Sequence, residues 1–239
     1  MTDPNYDAPD AGPQKPPGAK AVRPRDAATL ILLRRDGPAP RVLMGRRHRS
    51  HSFMPDKWVF PGGRVDAADF RAPAATELRP DVAEALTRTL PAARPRSLAR
   101  ALAVAAVRET FEEAGLRLAR PAPATRLGPA WTAFGADGAL PDLAALELIA
   151  RAITPPMRPK RFDARFFTAE ADRLQSLAPS GVSGELDEIA WVNLEEAMQL
   201  DLPGVTRFVL RELSLRLDDP ARRPLSLRFA NGGRRIDPL

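Results

Sequence analysis

Residues 107–116 read VRETFEEAGL, and the interpretation of the whole chain starts from this stretch. Glu109, Glu112 and Glu113 stand at positions i, i+3 and i+4, so a helix carries all three on one narrow face. Apolar residues such as Phe111 fall on the opposite side. The stretch therefore predicts a helix that buries one face and presents three carboxylates on the other.

The carboxylates lie where a helix tolerates them least. Like charges at i and i+4 destabilise a helix by about 0.2–0.5 kcal/mol, and the last turns favour cations over anions by about 0.3–1 kcal/mol. A face that is merely solvated, which is the alternative, would have its acids early in the helix and its bases late. The cluster therefore needs a counter-charge, and a divalent cation with hard oxygen ligands is the natural one.

Two adjacent glycines upstream offer a further ligand for such a cation. They belong to FPGG at residues 60–63, which follows the apolar KWV and precedes RVDAADF. Glycine permits close backbone approach as well as unusual backbone angles, so a plain turn is the alternative explanation. With a cation on the acidic helix face, the carbonyl of Gly63 can approach where a side chain would obstruct.

Together these stretches resemble the signature of the Nudix hydrolases, in which a glycine and an acid precede a helix carrying Arg-Glu, Glu-Glu and Gly. Asp69 stands where Glu is usual, and Thr110 where an apolar residue is usual. Residues 70–107 separate the two halves, where a much shorter stretch is usual. The residues that match are Gly63, Asp69, Arg108, Glu109, Glu112, Glu113, Gly115 and Leu116.

The resemblance implies an α+β fold, namely a Nudix-type α/β/α sandwich with a mixed β-sheet and a long catalytic helix. It covers about residues 25–217, and residues 70–100 are interpreted as an insertion within the motif. A subgroup with such an insertion includes peroxisomal coenzyme A diphosphatases. We expect the insertion near the mouth of the site, where it would affect substrate choice or a dimer contact.

Sequence patterns predict the elements around the motif. The proline-rich residues 1–24 are expected to be a disordered tail, and residues 218–239 a loose C-terminal tail. The long helix is expected to be capped by Ser97 and to end at Gly115. The remaining expectations are a hairpin of 26–34 and 41–46, a strand KWVFPGG, a helix at 81–90, strands KRFDARFFTA and DEIAWVNL, and helices EEAMQL and PGVTRFVLRELSLRL.

The resemblance also implies the chemistry, which is hydrolysis of a phosphoanhydride bond in a nucleoside diphosphate linked to another group. Mg²⁺ or Mn²⁺ would be bound by Glu109, Glu112 and Glu113, with the Gly63 carbonyl as a further ligand. Arg108 is counted with the catalytic residues. We expect it to pair with Asp69 and hold the glycine loop against the helix; a surface ion pair is the alternative.

The general base stays open between Glu112, Glu113 and a downstream acid, for which Glu185 and Glu188 are the candidates. Their alternative role is that of solvated loop acids.

Several side chains before the glycines are candidates for substrate binding. Arg46, Arg47 and Lys57 can meet phosphate groups. Glu185 and Glu188, further along the chain, are counted with them as candidate substrate-binding residues. His48 and His51 are expected to be exposed to solvent. Downstream, Trp131 and Phe134 can belong either to the core or to the substrate site, whereas Trp58 and Trp191 are expected in the core.

The nature of the substrate also has alternatives. Coenzyme A or its acyl derivatives are one option, and ADP-ribose or a dinucleotide is another. A catalytically silent ligand sensor is a third, but such domains usually lose carboxylates of the motif, and all three are present here.

The amino-acid composition narrows the classes of protein to which the chain can belong. The chain of 239 residues carries a formal charge of +6 and a pI near 10.6, and nearly all of its basic residues are arginines. An anionic partner fits this charge, but few aromatics and no Lys/Arg block argue against a dedicated nucleic-acid binder. No cysteine is present, which excludes disulfides, thiolate zinc sites and cysteine nucleophiles. With neither a signal peptide nor an apolar span, a cytoplasmic protein is expected, and a homodimer is an open option.

Overall fold

The computed structural model describes residues 20–50, 54–93, 95–179, 185–230 and 233–239. Most of the predicted N-terminal tail, residues 1–19, lies outside the described residues, and so does His51. Within them, the strands are β1 (Arg25–Arg34), β2 (Arg41–Arg47), β3 (Trp58–Val59), β4 (Gly62–Arg64), β5 (Ala119–Pro121), β6 (Ala139–Pro141), β7 (Glu147–Ile153), β8 (Phe162–Glu170), β9 (Leu186–Asn193), β10 (Leu225–Ala230) and β11 (Gly233–Pro238).

The helices are α1 (Pro80–Thr87), α2 (Pro95–Ala114), α3 (Leu194–Gln199) and α4 (Gly204–Asp218). Within the described part of the chain, no helix combines the length and apolar character that crossing a bilayer requires.

Nine strands of the described residues form one mixed sheet, in the order β11-β10-β7-β8-β1-β2-β3, with β4 beside β1 and β9 beside β2. β1 runs parallel to β8 and antiparallel to β2, so the predicted hairpin of 26–34 and 41–46 is confirmed. One edge of β1 is divided between two partners. β4 pairs with Ala27–Thr29, and β2 pairs with Leu33 and Arg34. The sheet therefore branches beside the glycine pair.

Alternate residues of β1 point to opposite sides of the sheet, as the two-residue period of a strand requires. On one side, which we call the α2 face, Leu30 and Leu32 pack in a core with α1 and α2. On the other, the α4 face, Ile31 and Leu33 pack in a second core with α3 and α4. Helices cover both faces of a mixed sheet, which confirms the predicted α+β fold and its α/β/α sandwich.

The long helix α2 is rich in alanine, whose side chain has no conformational freedom to lose in a helix. It begins at Pro95, a residue suited to the first helical position, and so Ser97 lies inside the first turn and is not the N-cap. Its C-terminal end agrees with the prediction. Gly115 has a φ of 69°, which favours glycine, and its N–H donates to the Phe111 carbonyl at 2.8 Å.

Residues 218–239 are not a loose tail. Leu225–Ala230 and Gly233–Pro238 form the hairpin strands β10 and β11, which extend the sheet because β10 pairs in parallel with β7. The Arg216 guanidinium donates to the Leu148 carbonyl at 2.9 Å and ties the end of α4 to the same edge. The alternating LSLRFA of residues 225–230 suits a strand, and its pairing with the distant β7 satisfies backbone groups that would otherwise be left unpaired at the edge of the sheet.

Candidate active site

The two glycines of β4 bring the backbone into contact with neighbours on two sides. Gly62 lies opposite Thr29 of β1, and a Cβ there would stand 2.7 Å from the Ala28 carbonyl oxygen. A Cβ on Gly63 would overlap the carboxylate of Glu109 on α2. The glycine pair is therefore a short strand rather than a plain turn, and it joins the sheet to the acidic end of the helix.

Arg108 connects this strand to the helix through a buried ion pair. Its Nε and Nη2 donate to the two carboxylate oxygens of Asp69 at 2.8 and 3.0 Å, and Nη2 also donates to the Arg64 carbonyl at 2.9 Å. Its Nη1 donates to Glu109 at 2.9 Å and to Glu112 at 2.8 Å. The pair with Asp69 is the predicted one, but it lies in the interior, because Asp69 is fully buried.

The three carboxylates differ in environment. The side chain of Glu112 is 44% exposed and that of Glu109 is 15% exposed, whereas Glu113 is buried and accepts a hydrogen bond from the Gly62 N–H at 3.0 Å. Burial raises the pKa of Glu109 to about 7, although Arg108 opposes the rise. Burial also raises the pKa of Glu113 to about 8. The ionised form of these two acids is therefore disfavoured in the metal-free protein, because their surroundings do not fully compensate a negative charge.

Arg108 is the cation that contacts the cluster in this structure, through Glu109 and Glu112. Within the described residues, no three acidic or histidine side chains are gathered closely enough to hold a metal ion, since Glu109 and Glu112 are turned to the guanidinium. The donor set nevertheless fits a hard divalent cation. Asp69 already neutralises Arg108, and the buried carboxylates of Glu109 and Glu113 are oxygen ligands of the kind that Mg²⁺ and Mn²⁺ take.

A cavity of about 540 Å³ opens beside these residues on the α4 face of the sheet. Glu109 and Glu112 line it together with Gly62 and Gly63 of β4 and with Arg108. The glycine strand therefore forms the end of a space that can hold a small molecule, in reach of carboxylates from α2. Below, this part of the cavity is called its acidic end.

A row of alanines forms the floor of the cavity. Ala27 of β1 lies beside Ala164 of β8, which lies beside Ala152 of β7, and all three line the cavity. The row ends at Leu227 of β10. Small side chains at neighbouring positions of three strands leave room above the sheet, because larger ones would fill it.

The structure separates the predicted substrate-binding residues into two groups. Arg47 and Glu185 line the cavity. Glu185 acts electrostatically on Glu109 and Glu113 and raises the pKa of each, though less than burial does. The pairing of β2 with β9 shifts its register between Arg46 and Arg47. Arg47 lines the cavity, whereas its neighbour Arg46 does not.

The other three predicted residues do not line the cavity within the described part of the chain. Arg46 pairs with Glu188 across the strands at 3.4 Å, and Lys57 pairs with Asp201. Both are ion pairs with at least one side chain well exposed to solvent. The expectation that Arg46, Lys57 and Glu188 contact substrate is therefore not supported by their positions.

The aromatic residues and the histidine have clear places. Trp131 and Phe134 are buried in the core on the α2 face, with ring centroids 5.3 Å apart, which excludes them from the cavity lining. Trp191 packs partly buried against the same core. The side chain of His48 is 46% exposed, as expected, and lies 3.6 Å from Asp187.

The structure also adds cavity residues that the sequence patterns did not single out. They include Lys160 and Phe162 beside the β7–β8 turn, and Phe229 and Arg234 of the C-terminal hairpin. A signal for the hairpin was present, because an alternating strand pattern followed by an Asn-Gly pair is typical of one. No local signal marks the alanine row, which exists only through strand register.

The residues between Asp69 and Arg108 lie away from the cavity. Among the described residues, none from 67 to 107 lines it. Val82 and Leu86 of α1 are buried with Leu98 and Leu102 of α2 in the core on the α2 face. The expectation that this segment lies at the mouth of the site is therefore wrong, because its apolar residues are drawn to the opposite face of the sheet.

Comparison with known proteins gives matches in sequence and in structure. A NUDIX hydrolase from Alicyclobacillus acidocaldarius is 30% identical, with a TM-score of 0.59; the match covers 80% of this chain and 90% of that one. Acyl-coenzyme A diphosphatase NUDT19 from Gallus gallus is 33% identical over 152 residues, covering 52% of this chain. The match spans only 38% of that relative's length.

A more distant structural match is the NUDIX domain of Shewanella oneidensis NrtR, solved with ADP ribose. It is 15% identical with a TM-score of 0.48, and the match covers 91% of this chain and 99% of that one. No model of a known protein family matches the chain.

Proposed function

The chain belongs to the Nudix hydrolase superfamily, and on that premise we propose that it hydrolyses a phosphoanhydride bond in a nucleoside diphosphate linked to another group. Mg²⁺ or Mn²⁺ would be held by Glu109, Glu112 and Glu113, with the Gly63 carbonyl as a further ligand. The observation that carries the proposal is the acidic end of the cavity, where carboxylates from α2 lie against the glycine strand.

A divalent cation bound there would neutralise the diphosphate and lower the pKa of a water molecule. The residues of the chain have separate roles. Arg108, held by Asp69, orients the carboxylates of Glu109 and Glu112, and the Gly62 N–H orients Glu113.

Glu112 and Glu185 line the cavity, and we propose that one of them accepts the proton of the attacking water. Arg47, which lines the same cavity, is the cation we assign to the phosphate groups.

For the substrate we propose coenzyme A or an acyl derivative. The support is the similarity to a relative named as an acyl-coenzyme A diphosphatase and a cavity of about 540 Å³ that extends well beyond the carboxylates. ADP-ribose and dinucleotides are the alternatives within the same chemistry. A silent ligand sensor is disfavoured, because all three carboxylates of the motif are retained.

Hydrolysis of a small substrate panel tests this proposal. The panel is coenzyme A, an acyl coenzyme A, ADP-ribose, NADH and a diadenosine polyphosphate, each with Mg²⁺ and with Mn²⁺. We expect selective cleavage of coenzyme A or its acyl derivative. Glu112→Gln should lower kcat by about a hundredfold or more, a typical loss for a group that acts on protons or metal.

Glu188→Gln is the matched control, because Glu188 is another acid of the same region that lies outside the cavity lining. It should retain the activity of the wild-type protein. Cleavage of ADP-ribose or a dinucleotide alone would replace the proposed substrate with one of the alternatives. If the folded protein binds Mn²⁺ but cleaves no member of the panel, the hydrolase proposal fails and the sensor alternative gains support.

A further inference from the structure

The end of the cavity away from the carboxylates is formed by the C-terminal hairpin. Leu227 and Phe229 are two positions apart on β10, so they share one face of the strand, and both line the cavity. Arg234 of β11 is the cross-strand partner of Phe229 and therefore shares that face as well. Phe229 is 39% exposed, so part of its ring is accessible to a molecule in the cavity.

The charges lining the cavity are divided between its ends. The described carboxylates in the lining are Asp66, Glu109, Glu112 and Glu185, which belong to the acidic end or act electrostatically on it. At the hairpin end, the lining residues from 152–164 and 225–234 include Lys160, Arg228 and Arg234 and no carboxylate. Arg228 also touches the cavity, but its position on β10 alternates with that of Phe229 and its Nε donates to Asp237 at 3.1 Å. Arg234 instead shares the face of Phe229, and Lys160 belongs to the β7–β8 turn, so these two cations lie on the cavity side of the hairpin end.

The hairpin lies too far from the carboxylates to serve the diphosphate. β10 is separated from β1 by β7 and β8, which amounts to three strand spacings, or roughly 14 Å. A diphosphate held at the acidic end does not span that distance. The alanine floor connects the two ends, so a molecule extended along it brings its distal part to Phe229 and Arg234.

We propose that the hairpin is a binding subsite for a nucleotide that carries a phosphate monoester in addition to the diphosphate, with the base on Phe229 and the monoester at Arg234 and Lys160. An aromatic ring offers a stacking surface to any base, and a guanidinium matches the geometry of a phosphate. This subsite rests on the proposed function and refines it, since it selects substrates by their extra phosphate.

Direct binding tests the subsite without turnover. Calorimetry would compare adenosine 3′,5′-bisphosphate with adenosine 5′-monophosphate on the full chain. The wild-type protein should bind the bisphosphate about tenfold more tightly, the change expected from one hydrogen-bonded contact between charged groups. Arg234→Gln should abolish this preference, and Phe229→Ala should weaken both ligands alike.

Arg235→Gln is the matched control. Arg235 is the next residue of the same strand, is exposed, and by alternation faces away from Phe229. Arg235→Gln removes the same charge as Arg234→Gln but from the opposite face of β11. The variant should therefore still bind the bisphosphate more tightly than the monophosphate. Equal losses in Arg234→Gln and Arg235→Gln would mean a general effect of charge and would overturn the subsite. So would a wild-type protein without any preference.

Kinetics of hydrolysis test the subsite independently of the proposed function. Arg234→Gln should raise KM for coenzyme A about tenfold, leave its kcat unchanged, and leave KM for 3′-dephospho-coenzyme A unchanged. If coenzyme A is cleaved but Arg234→Gln changes neither KM, the proposed function stands and the subsite fails. If nothing is cleaved but the binding preference follows Arg234, the subsite stands and the proposed function fails.

Discussion

Arg108 shows at the level of one residue why an arginine precedes the first glutamate of the acidic helix. Its guanidinium donates to Asp69, to the Arg64 carbonyl and to two glutamates of its own helix. Five donors in a planar fork allow these contacts simultaneously. A lysine offers a single point of charge and could not hold the glycine strand and the carboxylates together.

The buried glutamates should make the stability of the metal-free protein depend on pH. The pKa of Glu113 is about 8 in the folded protein against an ordinary value of 4.5, and that of Glu109 is about 7. Between these values the folded state binds more protons than the unfolded state. The free energy of unfolding should therefore fall as pH rises from about 4.5 to about 8, by a few kcal/mol, since a tenfold change in an acid constant corresponds to about 1.4 kcal/mol.

Urea denaturation in the presence of a chelator, at intervals from pH 5 to pH 9, measures this dependence. Glu113→Gln should reduce the slope, because an amide can still accept from Gly62 but does not ionise. Glu84→Gln, a change on the exposed surface of α1, should behave as the wild-type protein. A stability that is constant or rises across this range would show that the buried carboxylates ionise freely.

At the level of secondary-structure elements, β4 is the strand through which the sheet contacts the acidic end of α2. Gly62 presses against the backbone of β1, whereas Gly63 presses against a side chain of α2. A rigid neighbour and a flexible one respond differently to an added methyl group. The two adjacent glycines therefore serve different purposes, although the sequence presents them as a pair.

Substituting each glycine of β4 by alanine should show the difference between their roles. Gly62→Ala should destabilise the fold by about 1–3 kcal/mol, a typical cost of overpacking, because the main chain of β1 cannot yield. Gly63→Ala should cost less stability but displace the Glu109 carboxylate, so Mn²⁺ affinity and kcat should fall. Thermal unfolding and Mn²⁺ titration measure the two effects.

Gly128→Ala is a control, because a Cβ at Gly128 meets no atom within 4 Å. It should leave metal affinity unchanged. If Gly63→Ala and Gly62→Ala had the same profile of stability and metal affinity, the division of roles within β4 would be wrong.

At the scale of the whole molecule, the sheet separates two hydrophobic cores, and only one of them adjoins the cavity. The core on the α2 face holds the segment between Asp69 and Arg108, and the α4 face carries the cavity. Leu86 of α1 is fully buried in the first core. Leu86→Ala should therefore lower the free energy of unfolding by about 2–5 kcal/mol.

The same variant should keep the wild-type KM and kcat at a temperature where it is folded, because the sheet lies between Leu86 and the cavity. Urea denaturation and steady-state kinetics on one preparation check both parts. A change in KM without a loss of stability would show that α1 acts on substrate binding after all.

The sequence by itself determined the features that repeat over a few residues. The spacing of Glu109, Glu112 and Glu113, the helix end at Gly115, and the strands of the first hairpin all follow from local periods and backbone preferences. For the same reason, the alternation of residues 225–230 was enough for a strand there. The pairing that makes it part of the sheet was not local, and the segment was interpreted as a tail.

Only the tertiary structure decided which side chains share the cavity. Arg47 and Glu185 enter it and Arg46 and Glu188 do not, a division that accompanies a register shift between two strands distant in sequence. The raised pKa of Glu113 likewise depends on everything packed around it. Strand register and desolvation are properties of the assembled chain, because each is set by residues far apart in sequence that meet only in the fold.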